Sequence, residues 1–505
     1  MREIQTDLLV IGGGINGSGI AVDAAGRGLK VVLCEMNDLA SGTSSWSSKL
    51  VHGGLRYLEQ YEFKLVKEAL RERDVLINKA PHIIHPLTFV LPHDKHLRPQ
   101  WMIRCGMFLY DFLAGRKMQF KKSKKVSLLN TIEGSALKEK YKVGFSYSDC
   151  RIDDARMVVL NALQAQELGA DVLVQTKCIS AHREAEGWRA ILKSKSGEEI
   201  CVRAKAVVNA SGPWVAKILH DVVETDSKSQ VRLIKGSHIV VPKLYEGEHA
   251  YILQNKDNRI VFAIPYGFTA PGDNEFTLIG TTDVNYEGDP AKVKISMEER
   301  VYICDLINEY FEHQVTPEEI VWEYSGVRPL YDDNSDDPSK NTREYHFEKE
   351  DVDGKGLLLS IFGGKITTFR TLSEKAMVEV SHYFKDLKEA WTADKPLPGG
   401  EVANQSEIIL NIEKAYPWLD KKLAFRFATT YGSRTEKLLQ DSKSMEDLGQ
   451  CFGYNLYQKE VDYLVKEEWA TDVESIVWRR TKLGLWLTTE EQDQLAVYLD
   501  SIKSH

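Results

Sequence analysis

The sequence predicts an α/β fold: a mostly parallel sheet, interrupted by an antiparallel region and closed by a helical C-terminal domain. Three observations predict it. An apolar strand, Asp7-Leu-Leu-Val-Ile11, runs into Gly12-Gly-Gly14-Ile-Asn-Gly17, and a second strand, Val31-Val-Leu-Cys-Glu35, follows. A strand-to-glycine passage returns late in the chain, from Leu357–Phe362 into Gly363-Gly364-Lys365. Beyond Lys395-Pro-Leu-Pro-Gly-Gly400 the composition turns helical and charged to the end, which makes that segment the domain boundary.

The first unit has a physical logic at each position. Gly12 permits the tight turn, Gly14 lets backbone approach a pyrophosphate, and Gly17 lets helix and strand pack closely. The N–H groups opening the helix face a phosphate, where the helix dipole favours negative charge. Glu35, at the tip of the second strand, is placed to accept a hydrogen bond from a ribose hydroxyl. A lone glycine motif is weak evidence, but strand, helix, second strand and acid together point to a dinucleotide.

The elements between follow in order. A Ser/Thr-rich segment, Ser41-Gly-Thr-Ser-Ser-Trp-Ser-Ser48, leads through Lys49-Leu-Val-His-Gly-Gly-Leu-Arg-Tyr57 into a helix reaching about Lys79. Arg156 to Leu168 reads as a helix, Val172–Gln175 as a strand, and Ala206-Val-Val-Asn-Ala-Ser-Gly-Pro-Trp214 as a strand ending in a glycine turn. Residues 231–283 carry separate β-like runs, Val231–Ile234, His238–Val241, Ile260–Ile264 and Thr277–Ile279, which suggest an antiparallel pocket floor. The acidic turn from Asp332 to Pro338 is given no function.

At 505 residues the chain is too long for one core. A hydrophobic fraction of 43% and a charged fraction of 28% are those of an ordinary globular enzyme. The net charge of −9 argues against nucleic-acid affinity, so an anionic ligand must be held by local cations. The seven cysteines are scattered, with no CxxC pair, and predict neither a disulfide framework nor a metal site. The first strand begins close to Met1 and no stretch approaches the ~20 apolar residues of a membrane span. The expectation is a cytoplasmic chain without a leader.

The glycine motif alone does not separate NAD from FAD. A binding domain that starts at the N-terminus and is completed near residue 363 favours a retained flavin, which tolerates an interrupted domain. Seven motifs in order then carry a resemblance: Gly12–Gly17, Ser47–Leu58, Val208–Trp214, Ile234-Lys-Gly-Ser-His238, Ile279-Gly-Thr-Thr-Asp283, Ser325-Gly-Val-Arg-Pro-Leu330 and Phe362-Gly-Gly-Lys365. Across essentially the whole chain the sequence resembles the FAD-dependent, aerobic respiratory sn-glycerol-3-phosphate dehydrogenases. No EF-hand loop is present in the tail, which points to a bacterial type.

The resemblance implies an FAD-binding Rossmann-like domain of the amine-oxidase-like superfamily. That domain is discontinuous (about 1–80, 150–215 and 325–395), with a substrate region inserted at about 81–149 and 216–324 and a helical cap over 396–505. It implies oxidation of glycerol 3-phosphate to dihydroxyacetone phosphate, with electrons passed to a membrane quinone from the cytoplasmic face of the inner or plasma membrane. Three rivals stay open: a glycerophosphate oxidase using oxygen, an amine or amino-acid oxidase, and a non-catalytic flavoprotein scaffold or redox sensor. A homodimer also stays open.

A phosphate dianion needs several cationic donors, preferably arginines with their planar forks. By resemblance these are Arg56, Arg328, Arg343 and Lys365, with Tyr57 as a neutral donor. His238 is the candidate proton acceptor, since an unperturbed pKa near ~6.5 leaves it neutral before reaction; Arg328 could share the role by steadying the alkoxide. A structural histidine is the competing reading.

Cofactor contacts fall to Gly12, Gly14, Ile15, Asn16, Gly17, Glu35, Thr43, Ala210 and Gly212. Ser44, Ser48 and Lys49 are expected at the cofactor phosphates or ring edge. His52 and Gly53 let backbone approach the flavin, and Gly363, Gly364 and Thr367 meet its ribityl and pyrimidine end.

Between Arg98 and Lys125 lies a bulky apolar run, Trp101 to Leu113, flanked by Arg116, Lys117 and a lysine cluster. It is either a buried helix beside a solvated loop or a segment lying on an anionic lipid surface.

Overall fold

The structure, a computed structural model, describes residues 2–503 except 116–119, 258 and 333–344, and omits the side chains of residues 56, 60 and 503. Arg343 and most of the acidic turn therefore lie outside the described residues, as does the Arg56 guanidinium.

Strands Arg2–Ile11, Val31–Cys34, Glu199–Asn209 and Lys355–Phe362 form the parallel heart of an eight-stranded sheet. Its register pairs Val10 with Leu33 and Val208, and Val208 with Leu359. Both faces are covered, which is why these strands read as continuous apolar runs rather than alternating ones. Leu8, Val10, Leu33 and Leu359 pack against the glycine-turn helix Ile15–Gly26, the helix Asp154–Glu167 and the helix Phe369–Ser381. Leu9, Ile11, Val207 and Phe362 face the opposite layer.

The second sheet has ten strands among the described residues and is largely antiparallel. Its His238-bearing strand runs unbroken from Gln230 to Pro242, where the sequence suggested two separate runs. Gly236 does not break it; a side chain there would meet the Arg328 guanidinium at 2.5 Å, so the glycine makes room for that arginine to lie across the sheet. This sheet also takes Trp322–Asp332, Val143–Ile152 and Leu50–Val51. Its limits thus differ from the sequence boundaries at 325 and 150, and Arg328 stands on it opposite Ile234. The reason is pairing: Trp322–Asp332 matches residues 230–240 one for one, and interstrand hydrogen bonds outweigh chain continuity.

The C-terminal domain is a helical body with its own core, including Leu423, Phe427, Tyr431, Leu464 and Leu495. It docks through buried charges. Glu468 grips Arg156 of the first domain, Arg479 and Arg480 converge on Asp38, and Lys482 reaches Asp153 at 3.0 Å. No helix of the described residues is long and apolar enough to cross a membrane.

Candidate functional site

The glycine turn sits at the carboxyl ends of the parallel strands, the edge at which open α/β sheets bind ligands. A cavity opens there, bounded by Gly12, Gly14, Ile15, Asn16, Glu35, Thr43, Ser44, Ala210, Gly212, Gly363 and Gly364. Eleven residues expected from the sequence are brought to one cavity. Cys34, Ser211 and Trp214 line it too, and the sequence reading did not single them out.

The local geometry explains the residue types. A side chain at Gly12, whose φ is +112°, would meet the Ala210 carbonyl oxygen at 2.6 Å. One at Gly17 would lie 1.9 Å from the Gly12 carbonyl, so Gly17 is a packing glycine. Gly14 caps the helix without offering a side-chain acceptor, while Ser44 accepts from the Ile15 N–H at 3.0 Å. Asn16 donates to the Gly363 carbonyl at 3.0 Å and so ties the two glycine passages together. The Glu35 carboxylate accepts from Gly13 N at 2.7 Å and Asn37 N at 2.8 Å, which fixes it at the cavity wall. Burial pushes its pKa up, so these two N–H bonds matter to keeping it an acceptor. A glycine cradle at a helix start with a fixed acid beside it fits a dinucleotide.

A second cluster lies on the adjoining face of the large sheet. His238 pairs across Gly280 with Phe262, whose ring meets that of His52 at 6.5 Å. A side chain at Gly280 would strike the imidazole, so glycine there lets the ring lie flat. The ring stacks on Tyr324 at 4.8 Å, and Ser48 Oγ lies 2.9 Å from Nε2. Burial, followed by the charges of Lys49 and Arg328, holds the His238 pKa well below its ordinary value. This corrects the sequence expectation of an unperturbed imidazole: His238 is neutral, and stays so into acid.

Arg328 donates to Asp283 Oδ1 at 3.2 Å and to the Thr282 carbonyl at 3.2 Å, which turns the guanidinium across Gly236. Thr282 and Asp283, on the Gly-Thr-Thr-Asp motif, are therefore positioning groups that the sequence marked only as a motif. The Lys365 ammonium lies 4.3 Å from the centre of the Tyr57 ring and is buried with no hydrogen-bond partner among the described residues. It also acts electrostatically on His52, whose backbone N–H meets Thr367 Oγ1 at 3.4 Å. A buried ammonium lacking an acceptor is costly, and an anion in this cleft would satisfy it.

Two expected cofactor contacts are corrected. Lys49 is not free to reach a phosphate: its ammonium is locked on Asp154 at 2.8 Å and on the Ser45 carbonyl, with both charges buried. Gly53 turns its N–H inward, to the Tyr110 hydroxyl at 2.9 Å, and a side chain there would strike Leu70. Its glycine serves packing against the helices, not approach to a ligand.

Comparison with known proteins extends this picture. Residues 7–370 match the model of the FAD dependent oxidoreductase family, and residues 390–504 that of the C-terminal domain of alpha-glycerophosphate oxidase. The chain is 53% identical over 500 residues to a glycerol-3-phosphate dehydrogenase of Pseudomonas aeruginosa, covering 99% of this chain and 96% of that one. It is 48% identical to a D-erythritol 1-phosphate dehydrogenase of Brucella abortus, covering 99% of each. Among solved structures, glycerol-3-phosphate dehydrogenase from Bacillus halodurans complexed with FAD superposes with a TM-score of 0.77 at 27% identity, covering 99% of this chain and 91% of that one.

Proposed function

Because the chain belongs to the FAD-dependent glycerol-3-phosphate dehydrogenase family, we propose that it oxidises sn-glycerol 3-phosphate to dihydroxyacetone phosphate on the sheet face that carries His238. The observation that carries this reading is the buried Lys365 ammonium beside Tyr57, unpartnered among the described residues, together with a neutral imidazole bonded to a serine hydroxyl.

Bound FAD supplies the two-electron acceptor. The protein's own groups do the rest. Lys365 and Tyr57 hold the phosphate dianion and fix the distance to the carbinol carbon; Arg56 and Arg343 are assigned to the same anion by resemblance alone. Arg328, steered by Asp283, faces the oxygen on which negative charge develops. In the tautomer with Nε2 unprotonated, Ser48 donates to His238 Nε2, so its Oγ lone pair can accept the C2 hydroxyl proton and relay it to the imidazole. The negative charge of the substrate offsets the cost of protonating a buried ring. Glycine residues on the sheet keep both His238 and Arg328 flat, which leaves room for a small polyol phosphate above them.

Electrons leave, in this reading, to a membrane quinone. The exposed apolar face of the helix Gln100–Ala114 supports attachment to an anionic lipid surface on the cytoplasmic side. The Brucella relative's substrate defines a second arm, since an erythritol phosphate differs by one carbinol unit. The test is anaerobic mixing of the holoenzyme with glycerol 3-phosphate, D-erythritol 1-phosphate or glycerol while following flavin absorbance. Bleaching fastest with glycerol 3-phosphate, and none with glycerol, is expected; preference for the erythritol ester would reassign the substrate. Hydrogen peroxide release in air, matched to turnover, would replace the quinone with oxygen.

A further inference from the structure

The large sheet splits on the face that carries His238. The short strand Ala250–Gln254 begins level with Phe89 and pairs Tyr251 with Ala263. Beyond that point the far half of Ile260–Ala270 and residues 84–88 have no strand between them among the described residues. The C-terminal domain lies across the gap and leaves a cavity of about 180 Å³. That is ample for more than a single water.

The charges around this cavity do not balance. Five cations line it, Lys49, Arg151, Lys422, Arg426 and Lys482, against one acid, Asp153. Three of the five are neutralised, Lys49 by Asp154, Arg426 by Glu460 and Lys482 by Asp153. Arg151, from the sheet, and Lys422, from the C-terminal domain, are left with no ion pair among the described residues.

Arg151 lies flat on Phe268, its guanidinium carbon 3.5 Å from the ring centre, and makes no side-chain hydrogen bond among the described residues. Glu248 acts on it only from beyond ion-pair distance, and burial lowers its pKa to about 10. Tyr266, on the same wall, has a buried hydroxyl without a partner among the described residues.

We infer that this cavity binds a small phosphate dianion, free or as a monoester, that bridges Arg151 of the sheet to Lys422 of the C-terminal domain. Two unmatched cations meet two charges. The guanidinium, stacked and pre-oriented, presents parallel donors to two phosphate oxygens. The Tyr266 hydroxyl, kept protonated by burial, donates to a third. A bound anion ties the two domains at a second place, remote from the Asp38 contact beside the dinucleotide cavity. It therefore resists undocking of the C-terminal domain.

The test titrates the holoenzyme with inorganic phosphate, and separately with methyl phosphate, by calorimetry at constant ionic strength. Wild type should show two phosphate sites, one competitive with substrate and one not. Arg151→Gln and Lys422→Gln should each weaken the non-competitive site about tenfold or more, leaving KM and competitive inhibition by phosphate unchanged. Lys422 is solvent-exposed, so its variant folds whatever becomes of Arg151→Gln. Tighter binding of methyl phosphate marks a monoester as the natural ligand, and tighter binding of inorganic phosphate marks the free ion. A single, substrate-competitive site in wild type, or a second site unmoved in Lys422→Gln, overturns the inference whether or not the enzyme oxidises glycerol 3-phosphate.

Discussion

Lys49 and Lys365 look alike in sequence, each a cation in a Gly- or Ser-rich segment, yet their situations are opposite. Asp154 cancels the first, and the second is buried with no acceptor among the described residues. No local pattern distinguishes them, because the neutralising carboxylate is 105 residues away. His238 repeats the lesson in its protonation. The sequence offers an imidazole near ~6.5; burial depresses it well below that value. The base is the unprotonated form, so the acid limb of the kcat/KM profile should fall below pH ~6.5 rather than at it. His238→Asn should lower kcat by about 10²–10⁴-fold, the usual range for a lost acid–base group, and remove that limb. Steady-state rates across pH decide it; a retained rate with an unchanged profile would assign the ring to structure alone.

At the scale of the element, the helix Gln100–Ala114 shows how a two-sided sequence is resolved. The run between Arg98 and Lys125 was compatible with a core helix or a surface one, since bulky apolar residues recur on both faces. Met107 and Tyr110 turn inward, and Tyr110 holds the Gly53 N–H just ahead of Tyr57. Trp101, Phe108 and Phe112 turn out, exposed by 66%, 66% and 72%. Their spacing of seven and four places all three on one stripe. Lys121, Lys122, Lys124 and Lys125 are exposed close by, while Arg116 and Lys117 lie outside the described residues. Three such side chains entering lipid contribute roughly 4–9 kcal/mol, with about 1 kcal/mol per neighbouring cation on anionic lipid. The variant Trp101→Ser/Phe108→Ser/Phe112→Ser should no longer co-float with anionic vesicles at low salt, while anaerobic flavin bleaching by substrate persists. Undiminished flotation would end the membrane reading of this helix.

At the scale of the molecule, the C-terminal domain is held by ion pairs that reach into the first domain. Arg156 and Glu468 are both fully buried and joined by two hydrogen bonds. The pair is worth little net against an apolar contact, but breaking it strands a charge. Glu468→Gln should cost about 3–5 kcal/mol, read as a lowered denaturation midpoint of the holoenzyme; a midpoint equal to wild type would show that the interface stands on packing alone. The Trp322–Trp478 stack, at 4.1 Å, joins the same interface from the large sheet.

The sequence by itself determined what short-range chemistry encodes. The strand, the glycine turn, the acid behind it and the late strand returning to the same sheet each depend on a few neighbouring residues and their backbone limits. Only the tertiary structure decided which strands share a sheet and which cations stay unpaired. It also decided which imidazole is dry and which face of an apolar helix meets water. Those are properties of residues far apart in the chain, brought within hydrogen-bond or van der Waals reach, where desolvation and pairing set the charge that each group can carry.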